Sequence, residues 1–185
     1  MNSLAKQNFT TLAEDGINSQ IQIEQTASQV YLAAAAYFAR DNVALPGLER
    51  FFREQAHENQ ESAQYLIDYQ NTRGGRVEIK QIPEPNTEWT SAMNAIESSL
   101  SLEKDVNKAS LNLTTLAIDQ ADPHFFHILK KHSLKHRVQS IEELAKAITQ
   151  MQRAGGDGLG LYLVDQDIWK HGHFSVGRLG LGGED

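Results

Sequence analysis

Residues 31–76 read YLAAAAYFARDNVALPGLERFFREQAHENQESAQYLIDYQNTRGGR, and the punctuation of this stretch decides the fold. Apolar positions recur at helical spacing up to Phe38 and break at Asp41-Asn42. They resume after Pro46, a residue that suits a first helical position. The resumed period runs to Arg73 and carries Leu48, Phe51, Gln55, Glu58, Ser62, Tyr65 and Tyr69 along one seam. Gly74-Gly75 then supplies the glycine that closes a helix.

Upstream, from about Leu12 to Arg40, a first helix has the seam Ile17, Ile21, Glu24, Ser28, Tyr31, Ala35 and Phe38, in steps of four and three. Downstream, residues 76–87 (RVEIKQIPEPNT) have two prolines and no helical period. At roughly 3.3 Å per residue such a loop can travel the length of a helix of about 28 residues. A third helix, about Trp89 to Gln120, then starts at the end where the second one started. Its seam is Met93, Ile96, Leu100, Glu103 and Val106. Asp122-Pro123 opens a fourth, with Leu134, Arg137, Ile141, Leu144, Ile148 and Met151. Glycines 155, 156, 158 and 160 end it, and LGLYLVDQDIW reads as a short fifth helix. The expectation is an all-α four-helix bundle with one long crossover loop and a short fifth helix. Residues 1–10 form an N-terminal extension, 11–170 the bundle with its fifth helix, and 171–185 a flexible glycine-rich tail.

Composition narrows the function. No eighteen-residue apolar run exists among the 185 residues, which excludes a transmembrane helix. There is no cysteine, so disulfides, thiolate zinc sites and cysteine nucleophiles are excluded together. A net charge of −7 argues against a nucleic-acid partner and suits a protein that handles cations. The absence of cysteine and of a signal peptide favours the cytoplasm.

Three seams carry a glutamate near mid-length: Glu24, Glu58 and Glu103. Buried carboxylates need protons, cations or arginine partners. In helical bundles such sets hold a pair of iron ions, with a Glu-x-x-His pair supplying a nitrogen ligand.

At these residues the chain resembles the animal and plant ferritins. Residues 31–76 carry that likeness, as does SLSLEKDVNKASLNLTTLAIDQADPHFFHIL at 99–129, through YFxRDxVAL, QxxRGGR, LEKxVN and DPH. The resemblance covers about residues 10–170 and implies a hollow shell of 24 subunits storing a ferric mineral. It implies iron as the cofactor, and homo-oligomers or mixed shells with an active heavy-type subunit.

The ferroxidase pattern of heavy chains carries over incompletely. Glu24 matches the first-helix ligand, with Tyr31 the neighbouring tyrosine; Glu58 matches the bridging glutamate, and Glu103 the third-helix ligand. Asn59 stands where the family repeats the acid, Ser62 where it has histidine, and Arg137 where heavy chains have glutamine. A guanidinium matches carboxylates and replaces missing metal charge, so the resemblance is to light chains with a disabled oxidation centre. His57 turns about 100° from Glu58 and reads as a surface residue.

Glu54, Glu58 and Glu61 line one stripe of the second helix. The resemblance puts that flank on the cavity wall, where carboxylates nucleate ferric mineral. The family's three-fold channel follows DPH. Here Asp122 and His124 are kept, His127 and Lys130 replace acids, and Thr114 replaces a histidine. Around the four-fold axis the expected residues are Leu159, Leu163 and Asp167. Two other readings stay open: a ferroxidase with altered ligands, and a ferritin-like assembly protein that stores nothing.

Overall fold

The computed structural model describes residues 3–174, apart from the Lys135 side chain. Four long helical segments pack as a bundle. They are α1 (Thr11–Phe38), α2 (Pro46–Thr72), α3 (Ala92–Asp119) and a fourth segment in three pieces. Those pieces are α4 (Pro123–Leu129), a π-turn (Lys130–Leu134) and α5 (Lys135–Ala154), and the short α6 (Gly158–His171) follows. Among the described residues no helix is long and apolar enough to cross a membrane.

Polar caps start most of these helices. Thr10, Ser91, Asp122 and Asp157 each accept a backbone N–H of the helix they precede. α2 has no such cap of its own. Its N-terminus is served from α6, where buried Asp165 accepts from Leu48 N at 2.9 Å. Gly47 makes this approach possible, since a Cβ there would stand 2.0 Å from the Asp165 carbonyl oxygen. One carboxylate thus caps α2 and ties α6 to the bundle.

The crossover loop runs along α1, as its length requires. Asn18 donates to Arg76 O and accepts from Glu78 N, both at 3.0 Å. Further along, Gln22 bonds Gln81 O at 2.7 Å and Tyr37 bonds Trp89 O at 2.9 Å.

Two apolar clusters flank the bundle's polar middle. One gathers Tyr31, Phe38, Phe52, Ile96 and Leu144, and the other Ile17, Ile21, Leu66, Leu113 and Phe125. The N-terminal extension joins the second cluster through Phe9, which is 5% exposed. Arg73 locks that end: it lies over the Phe9 ring, donates to Asn8 O at 3.0 Å and pairs with Asp122 at 2.7 Å.

Three readings are corrected. Of the expected α2 seam Leu48, Phe51 and Tyr69 are buried, but the middle of the buried face is Phe52, Ala56, Asn59, Ala63 and Leu66, one residue round from the expected Gln55–Glu58–Ser62–Tyr65 line. The tail does not begin at residue 171: His171 ends α6, and Phe174 is buried against Phe51 at 5.0 Å between ring centres. Residues 175–185 lie outside the described residues. The fourth helix is not uniform. Two α-turns advance roughly seven residues, one short of the step between buried Leu129 and Arg137, and the π-turn absorbs the extra one.

Asp165→Ala should lower unfolding free energy by about 1–2 kcal/mol, the cost of a lost cap. Asp165→Asn, which keeps the acceptor, should cost less, and denaturant titration of both variants checks this.

Candidate functional site: an internal ion cluster in the bundle core

Glu24 on α1, Asn59 on α2, Glu103 on α3 and Arg137 on α5 meet at the centre, each no more than 2% exposed. The Arg137 guanidinium holds them together. Nη1 reaches Glu103 Oε2 at 3.0 Å and Oε1 at 3.3 Å. Nη2 donates to Glu24 and, at 2.9 Å, to Asn59 Oδ1.

The oxygens are satisfied from a second ring of donors. Tyr31 donates to Glu103 Oε1 at 2.7 Å. Gln20 donates to Glu24 Oε1 at 2.9 Å and to Ser110 Oγ at 3.1 Å. Ser133, in the π-turn, meets Ser110 at 2.9 Å. Asn59 gives its own N–H to Gln55 O at 2.8 Å, leaving its oxygen for Arg137.

Charge states follow from these contacts. Burial pulls the Arg137 cation down, but Glu24 and Glu103 more than compensate, and the group stays charged. Burial raises Glu24 above the usual carboxylate range although Arg137 opposes it. The Tyr31 phenol is pushed far up by burial and then by Glu103. With both carboxylates ionised, the cluster would carry one negative charge in excess of the Arg137 cation. A glutamate in place of Asn59 would add another without adding a cation, so asparagine at 59 and arginine at 137 belong to one solution.

Asn59, not Glu58, therefore holds the second-helix position facing the other core acids. Glu58 lies on the flank, where it takes His136 Nε2 at 3.0 Å and Gln55 Nε2 at 3.0 Å. Ser62 is no ligand, since its hydroxyl donates to Glu58 O one turn back at 2.9 Å. His57 is exposed and pairs with Glu61 at 3.2 Å, and Glu54 pairs with Arg50 at 3.0 Å.

Beside the core opens a cleft of about 400 Å³ lined by Glu24, Glu58, Glu61, Ser62, His132 and His136. Tyr65 stacks on His132, with 4.1 Å between ring centres. The sequence reading missed His132 and His136. Their spacing of four on one helix was the available signal.

The remaining site residues are scattered. Asp122 is buried, caps Phe125 N at 2.9 Å and is held by Arg73, so it is a structural acid and not a free lining group. His124 contacts Tyr69 OH at 3.3 Å, while His127 and Lys130 are exposed. Thr114 is buried and bonds Ser110 O at 2.7 Å. Leu159 and Leu163 project outward at 71% and 58% exposure, and Asp167 pairs with His171 at 3.1 Å.

A four-helix bundle with a long crossover and inward acids from two helices, Glu24 and Glu103, defines a carboxylate-bundle protein, here with an arginine at its centre. The family model for the ferritin-like domain matches residues 14–154, and the chain belongs to that family. A dinuclear iron centre does not fit these side chains: Arg137 fills the space between Glu24 and Glu103, the second-helix carboxylate is an amide, and the imidazole is a serine. Among the described residues no three His, Asp or Glu side chains converge on an ion-sized point.

Replacing Arg137 by Gln should destabilise the bundle by about 3–5 kcal/mol, the cost of leaving buried charge unpaired. Burial of Glu24 offsets part of that by taking up a proton. Calorimetry or denaturant unfolding reads the loss.

The Glu58–His136 pair makes a pH prediction. Burial alone would raise Glu58, but the His136 hydrogen bond and charge bring it below its ordinary 4.5. The Glu58 hydrogen bond raises His136 above 6.5 against burial. The glutamate part of the stabilisation is present above about pH 4.5 and is lost as pH falls through the lowered value. The histidine part is complete below about pH 6.5 and is lost as pH rises through the raised value. The stability gap between parent and Glu58→Gln should therefore be widest near pH 5–6 and shrink on either side, as melting curves across pH 3–9 would reveal.

Proposed function

We propose that this chain is a shell subunit of an iron-storing ferritin that supports ferric mineral growth and not rapid iron oxidation. The observation carrying this is the Arg137 cation between Glu24 and Glu103, with Asn59 as its third partner. Iron is the cargo. A cation approaching the core meets a guanidinium already bonded to the two remaining ligand acids. Without a bridging carboxylate and an imidazole, a second iron has no seat.

Mineral growth falls to Glu54, Glu58 and Glu61. These groups are exposed or half-exposed and pair with Arg50, His136 and His57. Such pairs are cheap to break, and clustered carboxylate oxygens suit a hard ferric ion. Glu61 and Glu58 also line the cleft that reaches Glu24.

The working form in this reading is a 24-subunit shell in the cytoplasm, mixed with a heavy-type subunit that oxidises Fe²⁺. Exposed His127 and Lys130 fit a mixed shell better than a homopolymer, because a ring of such groups repels Fe²⁺ where acids would draw it. The alternative enzyme reading requires Glu24 and Glu103 to release Arg137.

Fe²⁺ added aerobically to the pure chain should oxidise without a fast phase, and stopped-flow absorbance gives the answer. Rapid stoichiometric oxygen consumption would overturn the proposal. In a mixed shell, changing Glu54, Glu58 and Glu61 together to alanine should leave assembly intact and lower the iron retained per particle. Unchanged loading would remove this stripe from mineralisation.

A further inference from the structure

Residues 123–141, PHFFHILKKHSLKHRVQSI, contain no acid in a chain of net charge −7. They hold four of its seven histidines together with Lys130, Lys131, Lys135 and Arg137, while all 24 acids lie elsewhere. Arg137 faces the core and is taken up by Glu24 and Glu103. His127, Lys130, Lys131 and His132 instead lie exposed where α4 passes into the π-turn.

Local geometry gathers these groups. Residues three and four apart share a helix face with about 5–6 Å between Cβ atoms, so His127 neighbours both Lys130 and Lys131. Tyr65 stacks on the His132 ring with 4.1 Å between centres and fixes one side of the patch. Burial, then the charges of Lys131 and His127, hold the His132 imidazole below its ordinary 6.5, so these groups stand close enough to feel one another. Among the described residues, His127, Lys130 and Lys131 have no ion-pair partner. Asp122, next in sequence, and Glu58 and Glu61, which share the cleft with His132, already pair with Arg73, His136 and His57. Like charges held together repel, and an anion between them relieves the repulsion.

We propose that His127, Lys130 and Lys131 form a binding site for a small, doubly charged oxyanion of the phosphate class. Two ammonium groups and an imidazole N–H offer donors from three directions. Flexible lysine stems deliver point charges, which suit a compact dianion. A monocarboxylate carries half that charge, so the site ranks phosphate above it. A long polyanion is disfavoured: beyond a Debye length of about 8 Å it meets a surface with all 24 acids against 13 of the 17 Lys and Arg. The site belongs to the single chain and holds whether or not that chain stores iron.

Calorimetric titration of iron-free, full-length protein with inorganic phosphate, at low salt and about pH 7, tests the assignment. Saturable binding of one phosphate per chain is expected. Changing Lys130 and Lys131 together to glutamine should weaken it at least fivefold, and His127→Gln should weaken it in the same direction. Lys104→Gln, a change at an exposed lysine on α3, should bind like the parent. The altered positions are exposed, so circular dichroism should show unchanged helix content in every variant. Acetate should bind at least tenfold more weakly than phosphate. Equal phosphate affinity in parent and double variant, acetate bound as tightly as phosphate, or capture of an acidic peptide without saturable phosphate binding would overturn the proposal.

Discussion

A guanidinium and two carboxylates sit together in the middle of this bundle, out of contact with water, and the surrounding structure satisfies them. Desolvating an ion is expensive, and mutual attraction repays the cost only when geometry is good and leftover hydrogen-bonding capacity is filled. Arg137 meets the first condition by reaching Glu24, Glu103 and Asn59 from one planar group. Tyr31, Gln20, Ser110 and Ser133 meet the second, linking α1, α3 and the π-turn of the fourth segment. The apolar clusters lie on either side of this layer and hold it in register. A buried cation fixed by protein bonds does what a bound metal does for carboxylates, without the vacant coordination positions that oxidation chemistry needs.

That constraint explains the choices at neighbouring positions. A fourth ion at 59 would unbalance the cluster, and the asparagine there acts as a neutral acceptor. A histidine at 62 would add a donor that Arg137 makes redundant; the serine present turns back to its own helix. The acids that remain able to meet a cation lie on the outer flank of α2, where solvent makes their pairing reversible. Core and flank therefore differ in kind: the core acids are bonded to Arg137 and hold the fold, while the flank acids stay open to solvent, as the proposed role in mineral growth requires.

Much of the architecture is legible in the residues. Pro46, Gly74-Gly75 and the unperiodic run from 76 to 87 mark the helix ends and the crossover, because they act through backbone chemistry that is local. Arg137 is legible as an inward cation, since a permanent charge on a seam needs partners and acids stand on facing seams. The phase of α2 is not. Glu58 and Asn59 are adjacent and both polar, and a one-residue shift in a seam of mixed residues costs the sequence pattern little. The π-turn is hidden for a related reason: KKHSL at 130–134 contains neither proline nor glycine, and the extra residue is demanded by tertiary register. Asp165 capping a helix 117 positions away is a contact that only the folded chain reveals.

The central claim is that Arg137 occupies the seat of a metal. Anomalous diffraction from crystals of the parent and of Arg137→Gln, each soaked in cobalt(II) as a stand-in for Fe²⁺, measures this directly. The account predicts no anomalous peak between Glu24 and Glu103 in the parent and a peak there once the guanidinium is gone. A peak at that position in the parent, with Arg137 swung aside, would contradict it.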